Sequence, residues 1–108
     1  MAQYDPPRGY VESHSFQQNY DDLTAKYPDL VNVLGALFWG IGENPLDFDI
    51  VPGFQNEGIR VAKTVPLLLE PGDSETVVLR IFFIASESGP IRIEDLDMEV
   101  GDPAETDL

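Results

Sequence analysis

Residues 65–85, VPLLLEPGDSETVVLRIFFIA, decide the fold of this chain because they contain its strongest turn and its most apolar strand. Pro71 and Gly72 suit the second and third positions of a type II turn, where glycine takes the positive φ. The turn therefore predicts a hairpin. Its following strand, residues 76–85, is apolar on both faces except at Arg80, as in a central strand that is covered on both sides.

The strand before the turn is less regular. Odd positions from residue 59 to residue 69 are apolar except for Lys63. The even positions include the polar residues Arg60, Thr64 and Glu70, so the segment has the period of a strand with one solvent-exposed face. Pro66 lacks an N–H group, so the segment forms either an edge strand or two short strands joined at a kink. Whether the domain is α+β or all-β, we expect its core to contain one parity of the second strand: Val77, Leu79, Ile81 and Phe83.

Two helices are predicted before the hairpin. In residues 15–27, Phe16, Tyr20 and Leu23 recur with helical spacing; we expect Ser15 to cap this helix and Pro28 to end it. Residues 30–39 also fit a helix, ending at Gly40. The same residues alternate well enough to allow a strand, which would make the domain an all-β sandwich.

Two further strands are predicted, each with an acidic, solvent-exposed face (here called its wet face). In residues 46–50 the apolar positions alternate with Asp47 and Asp49. In residues 91–100 the apolar parity changes midway, and a β-bulge at Glu94–Asp95 would return all its apolar residues to one face. The predicted fold is therefore α+β, with one or two N-terminal helices on an antiparallel sheet of four to five strands; the alternative is an immunoglobulin-like sandwich.

Length and composition predict one domain. The chain has 108 residues, of which 43% are hydrophobic, enough for a core. We expect an N-terminal arm at residues 1–14, a globular domain at residues 15–100 and an acidic tail at residues 101–108. The start MAQYDPPRGY lacks the pattern of a signal peptide, and no apolar run is long enough for a membrane span, so we expect a cytoplasmic location without membrane association.

Two segments resemble parts of known families. The stretch LLLEPGDSETVVLRIFF resembles the late hairpin of immunoglobulin-like sandwich domains, over about a third of the chain. Residues 27–38, YPDLVNVLGALF, are similar to a helix of small bacterial immunity proteins, but the aromatic-His-Gln-Asp continuation typical of that family is replaced by WGIG. These likenesses assign the chain to no family.

Few residues are suited to catalysis. The chain has no cysteine, which excludes disulfides, thiol catalysis and zinc–thiolate sites, and its single histidine, His14, lies in the predicted arm. Asp95, Asp97 and Glu99 have the spacing that opens an EF-hand loop, but the glycine comes one position late and the twelfth-position Glu is missing. We therefore expect no enzyme activity and no cofactor.

Charge is the strongest global feature of the chain. There are 20 acidic and 6 basic residues, a formal net charge of −14, which repels nucleic acid and attracts basic proteins. High-salt adaptation or solubility alone would give the same composition. The functional hypothesis is a non-catalytic domain that docks a basic protein partner as an inhibitor, immunity or accessory factor; the alternative is an assembly component of a phage or multi-subunit particle. The candidate partner-binding residues are the acids of the two wet faces: Asp47, Asp49, Glu94, Asp95, Asp97 and Glu99.

Overall fold

A computed structural model describes residues 10–70, 72, 74–85 and 90–103 of the protein. Two helices pack on one face of a four-stranded sheet, which confirms the α+β prediction. The sheet order is β1-β4-β3-β2; β1 runs parallel to β4 and the other pairs are antiparallel. The elements are β1 (Tyr10–Glu12), α1 (His14–Lys26), α2 (Leu30–Glu43), a 3₁₀ helix (Pro45–Asp47), β2 (Ile59–Lys63), β3 (Glu75–Ile84) and β4 (Ile91–Pro103).

The apolar strand β3 lies inside the sheet, between β4 and β2, as predicted. Leu79, Ile81 and Phe83 are fully buried against the helices, whereas Val77 is only half-buried. The expectation that both faces of this strand are covered is wrong. Both described helices lie on one face, so the alternate side chains, such as Phe82, stay partly exposed.

The predicted β-bulge in β4 is confirmed. Phe82 pairs with Asp95 and Phe83 pairs with Ile93, so Glu94 is the extra residue between them. The bulge places the apolar side chains on both sides of it on the helix-facing side of the sheet. Those nearest the helices are buried: Ile91, Ile93 and Leu96.

Helix α1 begins two residues earlier than predicted. The N-cap is Ser13, whose Oγ accepts a hydrogen bond from the Phe16 amide (3.0 Å). Ser13 takes this position because its own amide donates to the Ile93 carbonyl (3.0 Å), which holds it in extended geometry at the end of β1. Ser15, the expected cap, is instead the second helical residue. The predicted end before Pro28 is confirmed.

Residues 30–39 are helical, so the all-β alternative is wrong. Helix α2 continues past Gly40 to Glu43 because Ile41, in its last turn, is fully buried. Phe38 of α2 lies within 5.5 Å, between ring centroids, of both Phe16 and Tyr10. These aromatic contacts join the two helices to β1.

The predicted ends of the domain need correction. Residues 10–12 were expected in an arm but form β1, and Tyr10 donates its hydroxyl hydrogen bond to the Phe38 carbonyl. At the other end, β4 includes residues 101–103, which were expected in the acidic tail. Ser13 and His14, also expected in the arm, are the N-cap and the first residue of α1. Residues 1–9 and 104–108, the rest of the predicted arm and tail, lie outside the described residues.

The strand predicted for residues 46–50 is not formed. Pro45 starts a 3₁₀ helix, and only Ile50 makes a bridge, to Arg60. The segment before the hairpin follows the two-part alternative: β2 ends at Lys63, and after Pro66 a single bridge joins Leu67 to Val77. In the turn itself, Gly72 has the expected positive φ, +90°; Pro71 is outside the described residues.

Candidate functional site

The acidic residues of β4 are the first candidate surface. Asp97 lies opposite Arg80 of β3 and accepts two hydrogen bonds from its guanidinium, at 2.8 Å from Nε and 2.6 Å from Nη2. Glu99 lies 3.6 Å from the same guanidinium. The hydrogen bond with Asp97 raises the pKa of Arg80 further above its ordinary value, so the group stays charged. Two carboxylates of β4 thus share the guanidinium of Arg80, and Lys63 of β2 lies beside Arg80 on its other side, one strand further from β4.

Asp95 has a structural position. Its Oδ1 accepts hydrogen bonds from the Leu96 amide (2.9 Å), Ser15 Oγ (3.0 Å) and Asn19 Nδ2 (3.1 Å). Asn19 also donates to the Leu96 carbonyl (2.9 Å). The Asp95 carboxylate therefore joins α1 to β4 just after the bulge. The sequence predicted it as a partner-binding residue, whereas in the structure its Oδ1 is already occupied by these contacts.

Glu94, the extra residue of the bulge, also makes contacts within the domain. Its carboxylate lies 3.3 Å from the Arg92 guanidinium. Its main-chain carbonyl accepts a hydrogen bond from Ser13 Oγ at 2.7 Å. Arg92 is 65% exposed in its side chain, so the ion pair itself is a surface contact of small energy.

Asp47 and Asp49 lie elsewhere. Both are exposed and precede β2, and the Asp49 carbonyl accepts from the Val61 amide at 3.1 Å. The sheet order separates β2 from β4 by β3, so the structure does not bring these two acids together with those of β4. The predicted six-residue set therefore lies on two separate surfaces, and in the β4 group the Glu99 side chain is the most exposed, at 54%, followed by the Arg80-bound Asp97 at 39%.

Sequence reasoning missed the sheet face opposite the helices. Cross-strand pairs place Ile59 beside Ile84 and Val61 beside Phe82 on this face, and all four side chains are half-exposed. The Arg80 guanidinium carbon lies 5.3 Å from the centre of the Phe82 ring. The signal was present in the sequence, since Arg80 is the one charged residue between Thr76 and Ile84 and belongs to this parity.

A cleft of about 260 Å³ lies where the α1–α2 connection meets the segment before the hairpin. It is mostly apolar, with Lys26 and Asp29 as its charged residues. Leu68 in its wall is 52% exposed. The remaining lining residues are Tyr27, Pro28, Leu30, Val33, Leu67 and Leu69. Such a cleft offers apolar contact area and few groups that could fix the orientation of a ligand.

One partly buried titratable group, Tyr10, was also missed. Burial raises the pKa of the Tyr10 phenol to about 12, and a backbone hydrogen bond with Gly42 opposes this rise. Tyr10 thus joins β1 to α2 as a neutral donor. Within the described ranges, no group of three or more His, Asp or Glu side chains is arranged to hold a metal ion.

Among the described residues, no helix has both the length and the apolar character that crossing a membrane requires. Comparison with known proteins adds no relative: no protein-family model, no curated protein and no solved structure matches this chain.

Proposed function

We propose that this protein is a non-catalytic interaction domain that docks a basic protein partner. The observation that carries the proposal is the imbalance of charge, a formal −14 with 20 acidic and 6 basic residues. Folding uses several of the few cations. Arg80 and Arg92 pair with carboxylates, and Arg60 donates to the main-chain carbonyls of Leu46 and Phe48.

The remaining acids are spread over the outside of the domain. Those on the helices and on the loop before β2 are exposed, and together they produce a negative field around the molecule. Such a field accelerates encounter with a positively charged partner and repels like-charged ones. Examples of these exposed acids are Asp21, Asp22, Glu43, Asp47, Asp49 and Glu57.

Capture from the native lysate at low and high salt, followed by mass spectrometry, tests the proposal. We expect the retained proteins to be basic and most of them to be lost at high salt, because salt screens charges that are exposed to solvent. A matched pair of variants, Asp47→Asn/Asp49→Asn and Asp21→Asn/Asp22→Asn, separates a local site from the general field, since each removes two exposed negative charges. Capture that is equal at both salt concentrations would contradict the proposal.

A structural role in a multi-subunit particle is the second candidate. Eight large apolar side chains in the described part of the chain are more than 40% exposed, among them Val65 at 73% and Val100 at 61%. Contact between subunits could cover such side chains. Light scattering separates the two roles: a discrete oligomer that persists at high salt favours assembly, and a monomer favours the docking domain.

A further inference from the structure

Strand β4 is much longer than its neighbour on the outer side. It has 13 residues, whereas β1 pairs only with Ile91, Arg92 and Ile93. Side chains occupy the next main-chain groups: Asn19 of α1 donates to the Leu96 carbonyl, and Asp95 of β4 itself accepts from the Leu96 amide. Beyond Leu96, no described strand or helix lies hydrogen-bonded along this edge.

The main-chain groups of Met98 and Val100 point outward along this edge. Leu79 directs its amide and carbonyl away from β4, to Thr64, so its partner Met98 forms no ladder hydrogen bond with it. Val77 likewise directs its amide and carbonyl to Leu67, so its partner Val100 forms no ladder hydrogen bond with it either. Four main-chain groups, the N–H and C=O of Met98 and of Val100, therefore face away from β3 and have no hydrogen-bond partner among the described residues.

The side chains beside these groups differ between the two faces of the sheet. On the face opposite the helices, the Asp97 and Glu99 side chains are 39% and 54% exposed. On the helix-facing side, Met98 and Val100 are 43% and 61% exposed. A strand added here would therefore meet carboxylates with one set of its side chains and apolar groups with the other.

We propose that this edge of β4 binds an extended segment of a basic protein by strand addition, with basic and apolar residues alternating along the segment. The inference rests on the proposed function and specifies where and how the basic partner binds. Main-chain hydrogen bonds to Met98 and Val100 give affinity, and the alternating side chains give specificity. Asp97 and Glu99 lie on the edge strand itself and share the guanidinium of Arg80, whereas Lys63 lies two strands away on β2, so the charge nearest the edge is negative and faces the basic residues.

Charge decides against a second copy of this chain as the occupant. Pairing two β4 edges would bring the carboxylates Asp97 and Glu99 of one copy close to those of the other, between molecules that each carry a formal −14. Charged residues on an edge strand are a known protection against such self-pairing. The same charges attract a segment with lysine or arginine at alternate positions.

The test uses a blocked synthetic heptapeptide of alternating lysine and valine, titrated into the ¹⁵N-labelled full chain and followed by NMR. We expect shift changes and new protection from hydrogen exchange at the Met98 and Val100 amides. The amides of Asp97 and Glu99 face β3 and are expected to be protected before and after addition. A heptapeptide of alternating glutamate and valine serves as the control for charge.

Two variants at one position separate main-chain binding from side-chain contact. Met98→Pro removes an outward N–H that the fold does not use, so we expect the protein to stay folded but to bind the lysine–valine peptide about tenfold more weakly or worse. Met98→Ala keeps the N–H, so its affinity is expected to stay within about threefold of the wild type. Urea unfolding of both variants establishes that they are folded.

A second pair of variants tests the charge. Glu99→Gln is expected to lower the peptide affinity about two- to fivefold at low salt, whereas the remote exposed Glu57→Gln, with the same change of net charge, is expected to have less effect. Equal binding to wild type and Met98→Pro would overturn the edge site but leave acidic docking standing. No binding of the lysine–valine peptide to the wild type would overturn the edge site, and the lysate capture would still decide the proposed function. A wild-type dimer that Met98→Pro abolishes would overturn the basic occupant in favour of a second copy.

Discussion

Replacing Asp95 with alanine should destabilise the protein, although the sequence marks this residue as part of an acidic binding face. The substitution removes three hydrogen bonds to one oxygen, from the Leu96 amide, Ser15 and Asn19, at 2.9–3.1 Å. The bond from Ser15 is exposed and adds little. The other two are part-buried and end on a charged acceptor, so each contributes about 1 kcal/mol or somewhat more. We expect a loss of about 2 kcal/mol in the free energy of unfolding.

The assay is equilibrium urea denaturation, since urea is uncharged and leaves the electrostatic contacts unscreened. With a typical slope for a chain of this size, the loss lowers the urea midpoint by roughly 1–2 M. Asp97→Ala is the matched control because it removes the same charge two residues away. Its pair with Arg80 is partly exposed, so we expect a loss of less than about 1 kcal/mol.

The comparison of Asp95→Ala with Asp97→Ala can contradict the structural role of Asp95. If Asp95→Ala were no more destabilising than Asp97→Ala, the carboxylate would not be holding α1 to β4. A double-mutant cycle with Asn19→Ala adds an independent check, with a coupling energy of about 1 kcal/mol expected between the two side chains. A coupling near zero would contradict the geometry even if the single variant were destabilised.

Three further predictions concern stability. Burial raises the pKa of Tyr10 in the folded state to about 12, so its contribution to stability is complete below pH 10 and is lost as pH rises toward 12. Because Tyr10 is only partly buried, the wild type should lose about 1 kcal/mol over that range relative to Tyr10→Phe, measured by urea unfolding at each pH. On β3, Ile81→Ala should lower the free energy of unfolding by about 3–4 kcal/mol, because Ile81 is fully buried, and Ile84→Ala should lower it by less than about 2 kcal/mol, because Ile84 is partly exposed. Equal losses of the two variants in thermal unfolding would contradict the partial exposure of the sheet face opposite the helices. Arg80→Met removes the guanidinium that pairs with Asp97 and should lower the free energy of unfolding by about 1 kcal/mol at low salt. The difference from the wild type should be smaller in about 1 M NaCl, because salt screens the ion pair; a difference in urea unfolding that does not change with salt would contradict the contribution of this pair.

Local patterns in the sequence were sufficient to predict much of the fold. The bulge at Glu94 could be predicted because the apolar parity of β4 changes there, and a strand facing a core can correct its parity only by adding a residue. Helix α1 could be predicted because its apolar residues recur with a helical period. Each of these signals lies within about a dozen residues of chain.

Long-range contacts explain what the sequence did not predict. Ser13, rather than Ser15, caps α1 because its amide reaches Ile93, 80 residues away in the chain. Likewise, Tyr10 belongs to the core only because β1 pairs with β4 and its hydroxyl reaches Phe38. No local pattern around residues 10–13 carries that information, which is why the segment was predicted to be an arm.

The local roles of the candidate site residues depend on long-range contacts in the same way. Alternation in β4 placed Asp95 on the same wet face as Asp97 and Glu99, but it could not show that α1 begins beside the bulge and binds Asp95. It also could not show that β1 is too short to cover β4. Whether a carboxylate is structural or available thus depends on neighbours that only the tertiary fold supplies.

The unpaired end of β4 combines an open strand edge with acidic side chains. An exposed strand edge flanked by apolar side chains invites pairing with any extended chain. In the proposed strand addition, Asp97 and Glu99 restrict that pairing to chains of opposite charge, and Arg80 holds one of the two carboxylates in place without neutralising both. Protection against self-association and selectivity for a basic strand would then depend on the same two residues. Any substitution that reverses their charge should exchange one kind of partner for the other.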